Sequence, residues 1–265
     1  MSLLFSPVKI GRVEVNNRFV RSATNEGMAT PSGEVTDRMI KVYQNLAKGG
    51  VGLIITGNLY VDALGKASDS QPAIDRDETM PGLKRLVDAV HQHGGKIVFQ
   101  LSHSGRQTKK EVIGRIPMAP SSIHRDLINF QKPVAMSEKD IHLLIRAFAL
   151  ATQRAVEVGA DGVQLHAGHG YLFSQFLSPF FNQRSDKWGG SDENRFLFLK
   201  ETVKEIKKTL PEDKILLVKL NGNDYTPGDG VTPPLAVKYA TWMESLGFDG
   251  IEVSCGNGAF APFSI

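Results

Sequence analysis

Two patterns of apolar and polar positions alternate along this chain. Residues 51–56 form a continuous apolar run, and residues 215–220 form one that is broken only by Lys219; such runs are typical of strands that are buried on both faces. In residues 36–47 and 81–90, apolar side chains recur every three or four positions, as on one face of a helix. Because runs and helical stretches follow one another in turn, the pattern predicts strand–helix–strand units around a parallel sheet.

The pattern predicts six strands and five helices, with two further segments. The strands cover residues 18–23, 51–56, 96–101, 162–165, 215–220 and 250–254. The helices cover residues 36–48, 81–93, 137–157, 194–210 and 233–246. Residues 1–17 are expected to hold an N-terminal hairpin, and residues 104–136 an irregular insertion at the rim of an active site.

Polar, glycine-containing segments follow the predicted strands, whereas the connections from helix to strand are short. This sidedness is that of a (β/α)8 barrel or of an open doubly wound sheet. Six predicted strands are two fewer than a closed barrel contains, so the pattern leaves both alternatives open for residues 1–265, which are expected to form a single domain.

Composition and charge narrow the class of protein. The net charge of +3 is too small to indicate a nucleic-acid or membrane partner, and no apolar run is long enough for a membrane span. The N-terminus lacks the pattern of a signal peptide, and the single cysteine, Cys255, excludes an internal disulfide. A cytoplasmic location is therefore expected.

Three proton-handling side chains lie just after the fourth predicted strand. His166, His169 and Tyr171 fall within six residues, separated by small residues. Such groups at the mouth of a barrel suit a reaction in which a carbonyl oxygen is held and a proton is delivered. Two histidines without a third ligand at a typical spacing do not indicate a metal, and none is expected.

Two polar residues interrupt apolar strands. Gln100 requires partners, which a planar heterocycle or a structural hydrogen bond could supply. Lys219 lies between Val218 and Leu220, and three uses are open: an ion pair, a Schiff-base amine, or a positive partner for an anionic cofactor. Elsewhere, Arg184 and Asp186 are expected to form an ion pair that orders a loop.

Four motifs together resemble the old yellow enzyme family, which comprises FMN-dependent ene-reductases and related NADH:flavin oxidoreductases. They are NRFV at residues 17–20, QLSHSGR at residues 100–106, HAGHGYL at residues 166–172 and LSPFFNQRSDKWGGS at residues 177–191. The last motif is the most specific. The resemblance implies a TIM (β/α)8-type barrel that holds FMN at the carboxyl ends of its strands, with only six of the eight strands in residues 1–265 and the family's strands seven and eight absent. An incomplete barrel with an exposed edge strand is therefore expected.

The resemblance assigns eight residues to FMN and three to catalysis. The FMN set is Ser22, Ala23, Thr24, Asn25, Gly57, Asn58, Gln100 and Lys219. Gln100 would contact the pyrimidine edge of the flavin, and Lys219 would lie near its N1 and O2 atoms. His166 and His169 would hold the oxygen of the acceptor, and Tyr171 would supply a proton.

The implied reaction has two halves: NADH or NADPH reduces the flavin, which then reduces the C=C bond of a small α,β-unsaturated carbonyl compound. Three residues depart from common family patterns, namely Ala23, Asn25 and Lys219, the last standing for a more usual arginine. One alternative is an inactive, incomplete barrel fragment that does not retain FMN, and another is a Schiff-base lyase that uses Lys219. The resemblance is compatible with a homo-oligomer.

Overall fold

The structure is a computed structural model that describes residues 2–123 and 131–258. Its strands are β1 (Val8–Ile10), β2 (Val13–Val15), β3 (Val20–Arg21), β4 (Leu53–Ile55), β5 (Leu59–Tyr60), β6 (Lys96–Ser102), β7 (Met118–Ala119), β8 (Val134–Ala135), β9 (Gly162–Ala167), β10 (Ile215–Asn221) and β11 (Gly250–Ser254). Parallel pairing joins β3, β4, β6, β9, β10 and β11 in that order, and β5 also pairs with β6. These six strands, in chain order, form a curled half-barrel with β3 and β11 at its two edges.

Helices connect successive strands of this sheet. They are α1 (Asp37–Lys48), α2 (Met80–His91), α3 (Lys110–Ile113), α4 (Glu138–Glu157), α5 (Leu172–Leu177), α6 (Asp192–Ile206) and α7 (Pro233–Ser245). The five long helices and six sheet strands predicted from the sequence are all present, which confirms the predicted strand–helix alternation. The short α3 and α5 were not predicted, because neither is long enough to show a helical period. No helix in the described parts of the chain is long and apolar enough to cross a membrane.

The two faces of the sheet carry two separate apolar clusters. Ile54 and Phe99 point outward into the large cluster shared with the helices, whereas their neighbours Leu53 and Val98 point inward. This alternation follows from the two-residue period of a strand. The antiparallel β1–β2 hairpin packs against the inward cluster, with Val15 almost fully buried. The hairpin therefore covers one end of the half-barrel and leaves the carboxyl ends of the strands for the site.

The rim insertion contains α3 and the two-stranded parallel pair of β7 and β8; residues 124–130 of the predicted insertion lie outside the described residues. Arg184 connects it to the loop after α5, donating hydrogen bonds to the carbonyls of Pro120 (2.8 Å) and Met136 (2.7 Å). Its other nitrogens form a two-pronged ion pair with Asp186 at 2.9 and 2.6 Å. The predicted loop-ordering pair is confirmed.

Candidate active site

The two histidines and the tyrosine singled out in the sequence lie together at the carboxyl end of β9. His166 is on the strand, and His169 and Tyr171 lie in the turn that leads to α5. The ring centroids of His166 and His169 are 5.2 Å apart at an interplanar angle of 85°, and those of His166 and Tyr171 are 4.6 Å apart. The turn therefore brings all three side chains into one cluster, which we call the histidine–tyrosine cluster.

The turn places His169 through a left-handed backbone conformation. Its φ of 57° is unusual for a residue with a side chain. The backbone N–H of His169 donates to Oδ1 of Asn221 at 2.9 Å. The Asn221 amide in turn donates to Oδ1 of Asp224 at 2.8 Å and to the carbonyl of Gly256 at 2.7 Å. The buried Asn221 thus holds together the loops that follow β9, β10 and β11, a role that the sequence did not indicate.

Burial keeps both histidines of the cluster neutral. Desolvation lowers the pKa of His166 well below its usual value, and the nearby His169 and Lys219 lower it further. Nδ1 of His166 accepts a hydrogen bond from the N–H of Gly168 at 3.3 Å, so the neutral ring carries its proton on Nε2. Desolvation and Lys219 also lower the pKa of His169, whose Nε2 is 2.6 Å from Oγ of Ser254.

Tyr171 keeps its proton for the same physical reason. Desolvation raises the pKa of its phenol above the usual value of 10.0, although a hydrogen bond from the Asn58 side chain partly opposes the shift. At neutral pH the cluster therefore contains two uncharged imidazoles and one protonated phenol. It can donate hydrogen bonds to an oxygen and can supply a proton.

A row of polar side chains crosses the strands beside this cluster. Gln100 donates to Gln164 at 2.6 Å, and Gln164 donates to Glu252 at 2.9 Å. Glu252 forms an ion pair with Lys219 at 2.9 Å, and Lys219 donates to the hydroxyl of Ser22 at 3.2 Å. We call these five side chains the polar row. It joins three predicted FMN residues to Gln164 and Glu252, which the sequence did not single out.

The segment after β3 and the start of the loop after β4 are packed tightly together. A Cβ atom added to Gly57 would overlap the carbonyl oxygen of Thr24 and the carboxylate of Glu26, so only glycine fits there. Glu26 accepts a hydrogen bond from Tyr43 at 2.5 Å, and the N–H of Gly57 donates to the same tyrosine hydroxyl at 2.8 Å. The predicted FMN residues of these segments thereby share one rim with the polar row. Ser22, Thr24 and Asn25 are exposed on it, Ala23 is half-buried, and Gly57 and Asn58 are buried.

A metal site is not apparent among the residues that the structure describes. No group of three or more His, Cys, Asp or Glu side chains is placed there to hold an ion.

A curled parallel sheet with neutral histidines, a phenol and a paired lysine at its carboxyl rim is the arrangement of a barrel-type protein whose site lies at the strand ends. The chain belongs to the NADH:flavin oxidoreductase / NADH oxidase family, whose model matches residues 3–259. FMN and NADH or NADPH are the cofactors of this family. A metal reductase of Desulforamulus reducens is 39% identical to it over 256 residues, covering 97% of this chain and 38% of that protein.

Solved structures confirm the fold class. A 2-naphthoyl-CoA reductase in complex with 2-naphthoyl-CoA superimposes with a TM-score of 0.93 at 31% identity, covering 97% of this chain and 41% of that one. The old yellow enzyme homologue of Zymomonas mobilis superimposes with a TM-score of 0.88 at 26% identity, covering 96% and 74%. The chain therefore spans about two fifths of the metal reductase and about three quarters of the Zymomonas mobilis protein.

The donor set of the site fits FMN. An isoalloxazine ring presents alternating hydrogen-bond donors and acceptors along its pyrimidine edge, and the polar row offers amides, a hydroxyl and a cation along one line. Lys219 is almost fully buried, with 4% of its surface exposed, so its charge is little screened by solvent. The residues present are therefore chemically suited to the ring of this cofactor.

Proposed function

We propose that the chain carries the catalytic site of an FMN-dependent oxidoreductase that takes a hydride from NADH or NADPH and reduces the C=C bond of a small α,β-unsaturated carbonyl compound. The observation that carries the proposal is the histidine–tyrosine cluster, in which two neutral imidazoles and a protonated phenol lie side by side at the mouth of the sheet. Reduction of such a compound requires donors for an oxygen and one proton for a carbon, and the cluster offers both.

His166 and His169 are proposed to hold the carbonyl oxygen of the substrate. Negative charge develops on that oxygen during the reduction, and preorganised neutral donors stabilise it without having to be reoriented. Nε2–H of His166 is available for this purpose because Nδ1 already accepts from the backbone. Tyr171 is proposed to deliver the proton to the α-carbon, for which its raised pKa keeps it protonated.

FMN is proposed to lie along the rim of the sheet. The residues that would hold it are Ser22, Ala23, Thr24, Asn25, Gly57, Asn58, Gln100 and Lys219. Bound FMN supplies the hydride chemistry, while the protein supplies position and electrostatic field. Gln100 and Lys219 would face the pyrimidine edge of the ring, since both belong to the polar row.

The ion pair of Lys219 argues against the alternative of a Schiff-base lyase. A lysine attacks a carbonyl through a neutral amine with a free lone pair. Here the ammonium is paired with Glu252 at 2.9 Å and donates to Ser22 at 3.2 Å. Both contacts engage Nζ, so it is not presented to a carbonyl as a free nucleophile.

Replacement of Tyr171 by Phe tests the proposal. We expect flavin reduction by NADH or NADPH to keep its rate, and reoxidation by an enone such as 2-cyclohexenone to slow by roughly 10²–10⁴-fold, the usual effect of a positioned proton donor. Stopped-flow absorbance of the flavin measures the two half-reactions separately. Tyr60→Phe is the matched control, because it removes a buried hydroxyl that bonds to the Ser32 carbonyl outside the site.

Two results would contradict the proposal. Equal slowing of both half-reactions in Tyr171→Phe would contradict the assignment of Tyr171 as the proton donor. A protein that stays colourless after reconstitution with FMN would instead favour the alternative of an incomplete barrel that does not retain the cofactor.

A further inference from the structure

Glu252 is the point at which the polar row converges. Its carboxylate accepts hydrogen bonds from Gln164 at 2.9 Å and from the Ser22 hydroxyl, and it forms an ion pair with Lys219 at 2.9 Å. Gln164 accepts in turn from Gln100. Three side chains assigned to FMN by resemblance therefore reach one carboxylate that no motif indicates.

The strand register explains why these side chains meet. Lys219 on β10 lies directly opposite Glu252 on β11, and Gln100 on β6 lies directly opposite Gln164 on β9. Side chains at directly opposed positions of neighbouring strands project from the same face of a sheet and can contact each other. Four of the five side chains of the polar row are thus built into the sheet, and Ser22 lies directly after β3.

Glu252 is ionised in this setting. Its pKa is lowered because hydrogen bonds from Ser22, Lys219 and Gln164, together with the charge of Lys219, outweigh the opposing effect of burial. A carboxylate and an ammonium 2.9 Å apart largely cancel each other's field at a distance. The rim of the sheet consequently presents an ion pair and not an isolated cation.

We propose that Glu252 is a positioning residue for the part of the polar row that would face the pyrimidine edge of FMN. It orients Lys219 directly and Gln100 through Gln164. It also offsets the positive charge that Lys219 would otherwise present to FMN. The inference rests on the proposed function, because it takes the FMN edge to lie along the polar row. It goes further by assigning a role in setting the redox properties of the site.

The net charge that the polar row presents to the flavin decides how strongly the site favours the reduced flavin. A lone cation beside the pyrimidine edge stabilises the anionic reduced form, whereas a carboxylate next to that cation weakens this stabilisation. Glu252→Gln removes the negative charge and keeps a side chain of the same shape, whose amide oxygen can accept from Ser22 or from Gln164 while its NH2 group replaces the other acceptor. The variant therefore removes the charge with little change of shape.

The first experiment measures the midpoint potential of bound FMN by spectroelectrochemistry. We expect Glu252→Gln to raise the preference for the reduced flavin by roughly tenfold, about 30 mV for a two-electron couple. Glu205→Gln is the matched control, because it breaks a surface pair with Lys208 at 2.6 Å that shares no residue with the polar row. An unchanged potential in Glu252→Gln would overturn the proposed charge-offsetting role.

The second experiment requires no flavin, because the pKa of His169 responds to the charges of both Lys219 and Glu252. The positive charge of Lys219 lowers the pKa of His169, and the negative charge of Glu252 raises it. His166 is the other titratable ring that faces His169. We expect the pKa of His169, followed by NMR of the ring protons, to fall in Glu252→Gln, to rise in Lys219→Met, and to return towards the wild-type value in the double variant.

Shifts in opposite directions that cancel in the double variant support the inference. A His169 pKa that moves in neither single variant would overturn it, and Lys219→Met decides the matter if Glu252→Gln does not fold. The two proposals fail separately. A chain that never binds FMN contradicts the proposed function, whereas the histidine titration still tests the electrostatic coupling of Glu252 to Lys219.

Discussion

His103, directly after β6, and His166, near the end of β9, form the same local hydrogen bond. In each residue Nδ1 accepts from the backbone N–H of the glycine two positions later, Gly105 at 3.0 Å and Gly168 at 3.3 Å. A small residue precedes each glycine, so the backbone can turn back on the ring. Because a ring nitrogen that accepts cannot carry a proton, this contact fixes the tautomer of both histidines as long as they stay neutral.

The burial of His103 predicts a loss of stability in acid. Desolvation lowers its pKa to about 3, below the usual value of 6.5. The folded state keeps His103 neutral, whereas the unfolded state binds a proton below pH 6.5. The contribution of His103 to the unfolding free energy is therefore fully present above pH 6.5 and falls by about 1.4 kcal/mol per pH unit as the pH drops towards 3. We expect His103→Gln to flatten the decline of the unfolding free energy between pH 6 and 4, measured by urea titration.

The slope of stability against pH, and not its absolute value, is the quantity to compare, because His103→Gln also alters packing. The exposed His93 gives the control variant His93→Gln, which removes an imidazole without changing a buried position. A slope in His103→Gln identical to that of the wild type would contradict the neutral, buried state of His103.

At the scale of elements, capping residues explain why several helix starts were predictable. Thr36 caps α1, and Ser137 caps α4 in a reciprocal capping box with Asp140. These are contacts between residues close in sequence, so the residue types alone indicate them. By contrast, α5 has six residues, all buried, and its apolar side chains show no periodic face.

The capping box of α4 predicts a measurable contribution to stability. The N–H of Asp140 donates to the Ser137 hydroxyl at 3.2 Å, and the N–H of Ser137 donates to the Asp140 carboxylate at 2.8 Å. We expect Ser137→Ala to lower the unfolding free energy by about 1 kcal/mol, the usual effect of losing a helix cap. Thr232, which precedes α7 without a side-chain cap bond, gives the control. A loss in Thr232→Ala as large as that in Ser137→Ala would contradict the capping explanation.

At the scale of the whole molecule, Arg184 joins segments that lie far apart in the sequence. Its guanidinium reaches the carbonyls of Pro120 and Met136 on the rim insertion while it is paired with Asp186. The planar guanidinium directs five N–H donors from three nitrogens in a fixed fork, whereas the ammonium of a lysine offers three donors from a single nitrogen. The rim insertion is thereby fastened to the loop after α5, beside the mouth of the sheet.

We therefore expect Arg184→Lys to be destabilising although it preserves charge. The loss should be roughly 1–3 kcal/mol, because buried carbonyls lose their partners. Thermal unfolding measures it, and hydrogen exchange should quicken at Met118–Ala119 and Val134–Ala135, the strands β7 and β8. The exposed Arg146 on α4 provides the control variant Arg146→Lys. Unchanged exchange in β7 and β8 would show that Arg184 does not hold the rim.

The sequence by itself determined the alternation of strands and helices, the end of the strands at which the polar segments lie, and the histidine–tyrosine segment. Apolar periodicity and caps act over a few residues, so they can be read without knowing the fold. The strand at residues 250–254 matches β11 in both bounds. His166, His169 and Tyr171 are also neighbours in sequence, and their clustering requires only one turn.

Only the tertiary structure decided which distant polar residues meet. Gln164 and Glu252 are 88 positions apart, and their contact depends on strand order and register. Asn221 reaches the backbone of His169 across 52 positions, and Ser254 reaches its ring across 85. Local pattern carries no information about such pairs, because contacts between strands arise from how the whole sheet curls. For that reason Lys219 was recognisable in the sequence as a buried cation, whereas its partner Glu252 was not.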